Sequence, residues 1–543
     1  MKVFITTSGI GSRLGKLTEF TNKSMVKLGQ KPAISYIIEQ YPEDFEFVIT
    51  LGYFGKHIEQ YLKIAYPNRK FTFVWVDKYE GPGTSQVYSQ LQAKEYLQEP
   101  FIYNDCDTIV KNLADQIPMR DFDYNFLVGY KSISELYDSF DYDKTSRLPG
   151  KFESYKVTQM YRKTEFENAM LSYIGIAGVY DYKKFWEIFE KAYNEVDYKI
   201  LNDTYVYIKY APFTDLRTLI VDNWTDTGSI SGVAKAREEF PDKLNVLNKT
   251  DQAIFIVGDK VIKFFAKDGI VDQIMTHYAA IDHLCPAIID RNTNFFSYKF
   301  IDGCTAIKNI DSEEFRRIMN YYDEVGLWSS NDTSENFKNC QYNFYIKRTI
   351  DRVNKFKQIY SITEDHDIAV NGITIPKEYT VEYMLDIIQQ MPEWKNSRWT
   401  GWHGDFTLEN IMKEKITNKL YLIDCRQNYD KSLVAGDMIY DFAKMNMNLM
   451  FNFDSVYKNL YTVIENGNNV HVDIMVNSEA YNCRNVMKEF VEAKGISYNY
   501  IEILSGLVWL DLCPLFTDPL TKFLYYLGKY TMYVNIKKYE NKH

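Results

Sequence analysis

Residues 2–107 alternate short apolar runs with glycine turns and helix-like segments, and this alternation constrains the fold more than any other feature of the chain. Apolar runs at 2–6, 47–51, 71–76 and 101–103 have the length of strands, and continuous apolar runs suit strands buried on both faces. Helix-like stretches at 58–62 and 87–97 fall between them. Strands alternating with helices predict an α/β domain with a doubly wound, Rossmann-like sheet and ligands at the carboxyl ends of its strands.

The first turn, Ser8-Gly9-Ile10-Gly11-Ser12-Arg13-Leu14, follows the first strand directly, and Lys23 comes shortly after. Glycines here let backbone amides approach phosphate closely, and Arg13 and Lys23 add the charge that a triphosphate needs. A dinucleotide site is the competing reading. The third glycine is not where that fingerprint requires it, and the basic residues favour a triphosphate. Asp107, after the strand at 101–103, is placed where a carboxylate can hold Mg²⁺ against a nucleotide, with Asp105 as the rival ligand. A second glycine turn, Glu80 to Gln86 with Gly83 in it, opens the helix at 87–97.

Taken with Lys31-Pro32, this segment resembles the signature of the sugar-phosphate nucleotidyltransferases, which includes enzymes that charge sugar 1-phosphates and phosphocholine. Gly15 and Asn22 stand where that pattern usually has proline. Asp107 matches the family's metal aspartate, and Trp224-Thr225-Asp226-Thr227-Gly228 resembles the segment that supplies the second metal acid, here Asp226. Tyr173 to Tyr180 resembles the family's central strand. Lys163 falls where the family keeps a lysine for the acceptor phosphate. The resemblance covers residues 1–235 in the expected motif order and implies nucleotide contacts from Gly9, Gly11, Arg13, Lys23 and Gly83, with Arg13 and Lys23 catalytic.

Beyond a charged helix and turn at 236–247, runs at 253–257 and 260–264 flank Gly258-Asp259 as a hairpin. From residue 313 onward helical periodicity dominates, with helices at 315–327, 343–360 and 381–390. Set among these is Trp402-His403-Gly404-Asp405-Phe406-Thr407-Leu408-Glu409-Asn410, followed by a short strand that delivers Asp424. Such a loop puts one acid on a substrate hydroxyl and offers an amide and a second acid to a metal. Its spacing resembles the catalytic loop of eukaryotic-like kinases, in the His-Gly-Asp spelling of the aminoglycoside phosphotransferase and choline kinase branch. Gly436-Asp437-Met438-Ile439-Tyr440-Asp441 resembles the segment that follows the metal Asp there. The resemblance implies Asp405 as base, Asn410 and Asp424 as metal ligands, Lys263 on the nucleotide phosphates, and a two-lobed α+β kinase-like domain.

The expected domains are 1–235, nucleotidyltransferase; 236–303, small kinase lobe with linker; and 304–543, helical lobe. Together they imply a two-step enzyme. ATP first phosphorylates a small alcohol or sugar, and the phosphate formed then attacks an NTP (CTP or UTP favoured), with Mg²⁺ or Mn²⁺ at both sites. The product would serve cell-surface glycan or lipid synthesis. The alternative keeps one catalytic domain and makes the other a nucleotide sensor. A net charge of −10 argues against nucleic acid as a partner. Seven scattered cysteines without Cys-x-x-Cys spacing fit a reducing, cytoplasmic setting. The apolar stretch at 501–516 is broken by Glu502 and Asp511, so no membrane span is expected. Oligomeric state is left open.

Overall fold

The computed structural model describes residues 1–134, 137–163, 169–197, 201–242, 250–331, 333–451 and 453–541. They form two compact units, Met1–Asp268 with Ile288–Phe300, and Gly269–Ala287 with Ile301–His543.

The first unit is built on a nine-stranded sheet. Its strands are β1 (Lys2–Thr6), β2 (Glu46–Leu51), β3 (Lys70–Trp75), β4 (Phe101–Asp105), β5 (Asn125–Tyr130), β6 (Ser139–Leu148), β7 (Ser154–Tyr161), β8 (Leu171–Val179) and β9 (Leu216–Val221). Their spatial order is β3-β2-β1-β4-β8-β5-β9-β7-β6. β3, β2, β1 and β4 run parallel, as the alternating pattern requires. Val3, Phe4 and Ile5 are at most 1% exposed, so β1 is covered on both faces.

The sheet departs from the doubly wound expectation past β4. β8 runs antiparallel to both β4 and β5, and β7 pairs antiparallel with β9 and β6. The sequence of β6, Ser139 to Leu148, is largely polar and partly exposed, which hides it from a search for apolar runs.

The register aims the first turn at the acids. Thr6 pairs with Asp105, so the chain leaving β1 emerges beside the end of β4. A two-residue ribbon then pairs Asp226 with Thr108, which brings the second acid alongside Asp107.

A second sheet, β10 (Gln252–Val257), β11 (Lys260–Phe265), β12 (Ile288–Arg291) and β13 (Phe295–Lys299), is antiparallel in the order β10-β11-β13-β12. The hairpin at Gly258 is the expected one, and Gly258 has φ +59°, where a side chain is strained. This sheet belongs to the first compact unit and not to a lobe beginning at residue 236. Phe255, Ile262, Phe264 and Phe295 share one core with Ile58 and Tyr61 of the helix Gly55–Ala65. Ile256 N–H also donates to the Gln30 carbonyl at 2.8 Å. The expected linker at 236–247 is occupied as far as Glu239 by the helix Ile230–Glu239, and residues 243–249 lie outside those described.

The second unit is mainly helical, with long helices at Ser312–Glu324, Arg348–Tyr360, Val381–Gln390, Met438–Met450, Ser478–Ala493, Tyr498–Leu512 and Leu520–Glu540. The apolar stretch near residue 501 is the core helix Tyr498–Leu512, and among the described residues no helix is long and apolar enough to cross a membrane. A four-stranded sheet that the sequence did not suggest joins Ile368–Val370 and Ile373–Ile375 to Tyr461–Asn466 and Asn469–Ile474. None of the seven cysteines forms a disulfide.

Candidate active sites

A cleft of about 410 Å³ opens over the carboxyl ends of β1 and β4, and it collects Gly9, Arg13, Lys23, Asp107, Lys163 and Asp226. Gly11 contributes indirectly. It has φ +70°, and a Cβ there would stand 2.9 Å from Lys23 Cβ, so its bareness lets Lys23 lie against the turn. Gly83, at φ +86°, bends the second turn so that Thr84, Ser85 and Gln86 line the cleft. Ser85 caps the helix Gln86–Leu91 by accepting from Tyr88 N–H at 3.0 Å.

Lys23 Nζ lies 2.9 Å from Asp107 Oδ2. Burial alone would lower the Lys23 ammonium, but Asp107, then Cys106 and Asp105, outweigh it and leave the group raised. Burial likewise opposes ionisation of Asp107, yet Lys23 and Arg13 hold it below the usual carboxylate range. Asp226 is raised by burial and by Asp107. It accepts from Gly228 N–H at 2.8 Å and from the Tyr137 hydroxyl at 3.0 Å.

Gly228 marks where these groups converge. A methyl group placed on it would stand 2.7 Å from Asp107 Oδ2, 3.1 Å from Asp226 Oδ1 and 3.2 Å from an Arg13 guanidinium nitrogen. The glycine keeps that point open between two carboxylates. All-oxygen donors of this kind fit Mg²⁺, which is held by one or two carboxylates and completed by water and substrate phosphate. No cluster of three or more side-chain ligands is found among the described residues.

Asp105, the rival ligand, also lines the cleft but is held by other partners. Its Oδ1 accepts from the Tyr103 hydroxyl at 2.5 Å and from Gln86 Nε2 at 3.3 Å, and burial followed by Asp107 pushes its carboxyl up to about 7. Its Oδ2 lies 2.3 Å from the point a Cβ on Gly175 would occupy, so β8 passes Asp105 only because residue 175 lacks a side chain. The departures from the nucleotidyltransferase pattern are structural. Gly15 has φ +52° and ψ −122°. Asn22 is fully buried and ties three segments together, donating to the Thr7 and Tyr53 carbonyls at 2.8 and 2.7 Å and accepting from Ser24 N–H at 2.9 Å.

In the second unit, Asp405 and Asn410 meet. Asn410 Nδ2 donates to the Asp405 carbonyl at 2.8 Å and to Asp405 Oδ2 at 3.1 Å, which leaves Oδ1 as the amide's acceptor atom. Ile423 N–H donates to the Asn410 carbonyl at 2.9 Å, so Asp424, with φ +62°, follows directly on the strand beside Asn410. The loop is clasped from below. Asp441 accepts from His403 N–H and Gly404 N–H, each at 2.7 Å, and from Trp328 Nε1 at 3.1 Å. Gly404 has φ +82°, and a Cβ there would meet Arg426 Cβ at 2.5 Å. Asp437 caps the helix Met438–Met450 by accepting from Ile439 N–H at 3.0 Å.

Lys444, on that same helix, places Nζ 2.6 Å from Asp405 Oδ1. The lysine side chain is 6% exposed and the aspartate 41%. Against the desolvation of the site, Lys444, then His403 and Arg426, keep Asp405 below the usual carboxylate range. Lys263, expected on the nucleotide phosphates, is buried in β11 of the first unit, in register with Ile254 and Phe296.

Sequence reading missed Tyr137, Asp138, Asp203 and Lys444. The first three lie in segments with no motif, and nothing local signals them. Lys444 follows Asp441 by three residues on one helix face, so an aspartate recognised as the loop's clasp would have pointed to it.

No protein-family model matches the chain. A choline-phosphate cytidylyltransferase of Streptococcus pneumoniae is 34% identical over 115 residues, 21% of this chain and 48% of that enzyme. The bifunctional protein GlmU of Methanocaldococcus jannaschii is 25% identical over 275 residues, 48% of this chain and 60% of that protein. The matches thus span about half to three fifths of these relatives' lengths. A solved structure of CTP:phosphocholine cytidylyltransferase from Streptococcus pneumoniae aligns at 20% identity over 44% of this chain and 98% of its own, with a TM-score of 0.36.

Proposed function

We propose that the first unit is a nucleotidyltransferase that joins the α-phosphate of an NTP, CTP or UTP by preference, to a phosphorylated small molecule. The carrying observation is the open point at Gly228, flanked by Asp107 Oδ2, Asp226 Oδ1 and Arg13. An acceptor phosphate oxygen attacks the α-phosphorus in line, and the bond to the bridging oxygen breaks so that pyrophosphate leaves. Lys23 and Arg13 offset the charge that grows on the phosphates. Asp107 and Asp226 would hold Mg²⁺, which when bound supplies Lewis-acid stabilisation to those same oxygens. Lys163, lining the cleft, is the residue assigned to the acceptor phosphate. Cytidylyl and bifunctional relatives among the matched proteins support the reading.

The second unit is proposed as the kinase that makes the acceptor. Asp405 receives the hydroxyl proton, and Asn410 and Asp424 would hold the metal. The Asp405–Asn410 contact and the clasp from Asp441 support this assignment. Substrates are then a small alcohol or sugar, ATP and an NTP, and the product would feed cell-surface glycan or lipid synthesis in the cytoplasm. The proposed nucleotidyltransferase is then the unit Met1–Asp268 with Ile288–Phe300, and the proposed kinase the unit Gly269–Ala287 with Ile301–His543.

The test is a matrix of ATP, CTP and UTP against choline, ethanolamine, polyols and sugars, with and without their phosphates, read by mass spectrometry. Formation of both phosphate ester and NDP-linked product is expected. Asp405→Ala should stop the first and spare the second, and Asp107→Ala the reverse. Loss of both activities in either variant would contradict two separate sites.

A further inference from the structure

Part of the cleft lining in the first unit is formed by Asp105, Asp138 and Asp203, beside Tyr173. Two of these acids are engaged. Asp138 Oδ2 accepts from the Thr204 hydroxyl at 2.8 Å and from Asn202 Nδ2 at 3.3 Å, and its Oδ1 accepts from Lys163 N–H at 2.9 Å. Asp105 is held by Tyr103 and Gln86.

Asp203 is different. It opens the helix Asp203–Tyr210, and Oδ1 accepts from Thr204 N–H at 2.8 Å. Its Oδ2 is buried without a hydrogen-bond partner among the described residues, in a residue only 5% exposed. A buried carboxylate oxygen without a donor is costly, and the cost is larger beside two further acids. Burial, then Asp105 and Asp138, accordingly push the Asp203 carboxyl far above the usual range. A ligand that supplies both positive charge and an N–H donor removes that cost. A neutral sugar brings no charge. A trimethylammonium group brings charge without N–H, and is recognised through aromatic faces instead.

Resting on the nucleotidyltransferase reading above, we propose that the acceptor of this site is a phosphorylated small primary amine whose ammonium donates to Asp203 Oδ2. Asp105 and Asp138 supply further negative charge. The reaction is unchanged in its balance: the acceptor's phosphate oxygen forms the new bond to the α-phosphorus, and the bond to pyrophosphate breaks.

The experiment measures pyrophosphate release by the full chain with Mg²⁺ and CTP or UTP, using phosphoethanolamine, phosphocholine and glucose 1-phosphate in parallel. Phosphoethanolamine should exceed both others in kcat/KM by about tenfold or more, the worth of one well-placed charged hydrogen bond. Asp203→Asn should erase most of that preference. A wild-type preference for phosphocholine or glucose 1-phosphate would overturn the amine assignment and leave nucleotidyl transfer standing. An equal loss on all acceptors in Asp203→Asn would show a structural carboxyl and overturn it too. Absence of pyrophosphate release with every acceptor would sink the nucleotidyltransferase reading as well. Should Asp203→Asn fail to fold, the wild-type ranking alone decides.

Discussion

Lys444 Nζ sits 2.6 Å from Asp405 Oδ1, so the cation beside the proposed catalytic acid comes from the helix Met438–Met450 and not from the loop that carries the acid. One oxygen of Asp405 is thus taken by Lys444 and the other by Asn410. An aspartate held ionised in this way is a weak base, which suits phosphoryl transfer, where positioning and charge do most of the work. Lys444→Met should lower ATP-dependent phosphorylation by about 100-fold or more in kcat. Nucleotidyl transfer from a supplied phosphate ester should be unchanged. ADP release and pyrophosphate release, assayed on the same preparation, check both halves, and unaltered ADP release would make the pair merely structural.

Gly228 offers a sharper probe of the proposed metal site than the two acids do. Gly228→Ala keeps both acids in the chain but forces Asp107 to shift, because a Cβ there would otherwise stand 2.7 Å from its Oδ2. Activity should fall about 100-fold, with the apparent Mg²⁺ requirement moved to higher concentration. Thermal stability should change little, because the glycine has no positive φ to protect. A magnesium titration of pyrophosphate release, beside a melting curve, separates loss of the metal point from loss of the fold.

The parallel half of the sheet was legible because glycine turns, apolar runs and acids at strand ends are local signals. Asp107 and Asp226 could be named from sequence for that reason, although 119 positions separate them. Their meeting depends on the ribbon that pairs Thr108 with Asp226, which no local pattern encodes. The sheet at 252–299 shows the limit more plainly. Its strands were readable, but the side on which Phe255, Phe264 and Phe295 are buried is a choice between partners, and that choice is made by Ile58 and Tyr61. Asp203 carried no signal because its environment is assembled from Asp105, Asp138 and Tyr173, each from a different stretch of the chain.

That same core predicts an acid sensitivity. His57 is 6% exposed, its ring 4.9 Å from that of Phe264 and 5.0 Å from that of Phe54. Burial depresses it from 6.5 to about 4, with Asp268 acting weakly in the opposite direction. Its folded pKa lies below its unfolded one, so the neutral ring's contribution is fully present above pH ~6.5 and is lost as pH falls toward about 4. The full effect is about 3 kcal/mol at most. His57→Phe should therefore flatten the stability profile between these pH values. Urea unfolding at pH 7 and near pH 4 reads it, and an undiminished slope in the variant would place the acid sensitivity on other groups.

Asn22 gives the last prediction, because it stands where the nucleotidyltransferase pattern has proline. A proline could match its φ of −71° but not its side chain. Nδ2 closes on two carbonyls, Thr7 after β1 and Tyr53 after β2, while Oδ1 receives Ser24 N–H and so sets the turn that carries Lys23. Asn22→Ala would strand the buried Thr7 carbonyl and the part-buried Tyr53 carbonyl, at a cost of about 2–4 kcal/mol in stability. Catalysis should fall further than stability explains, since Lys23 would lose its fixed approach to Asp107. The diagnostic is kcat measured well below the variant's melting temperature. A kcat equal to wild type there would mean that Lys23 is positioned by Gly11 and its ion pair with Asp107, without help from Asn22.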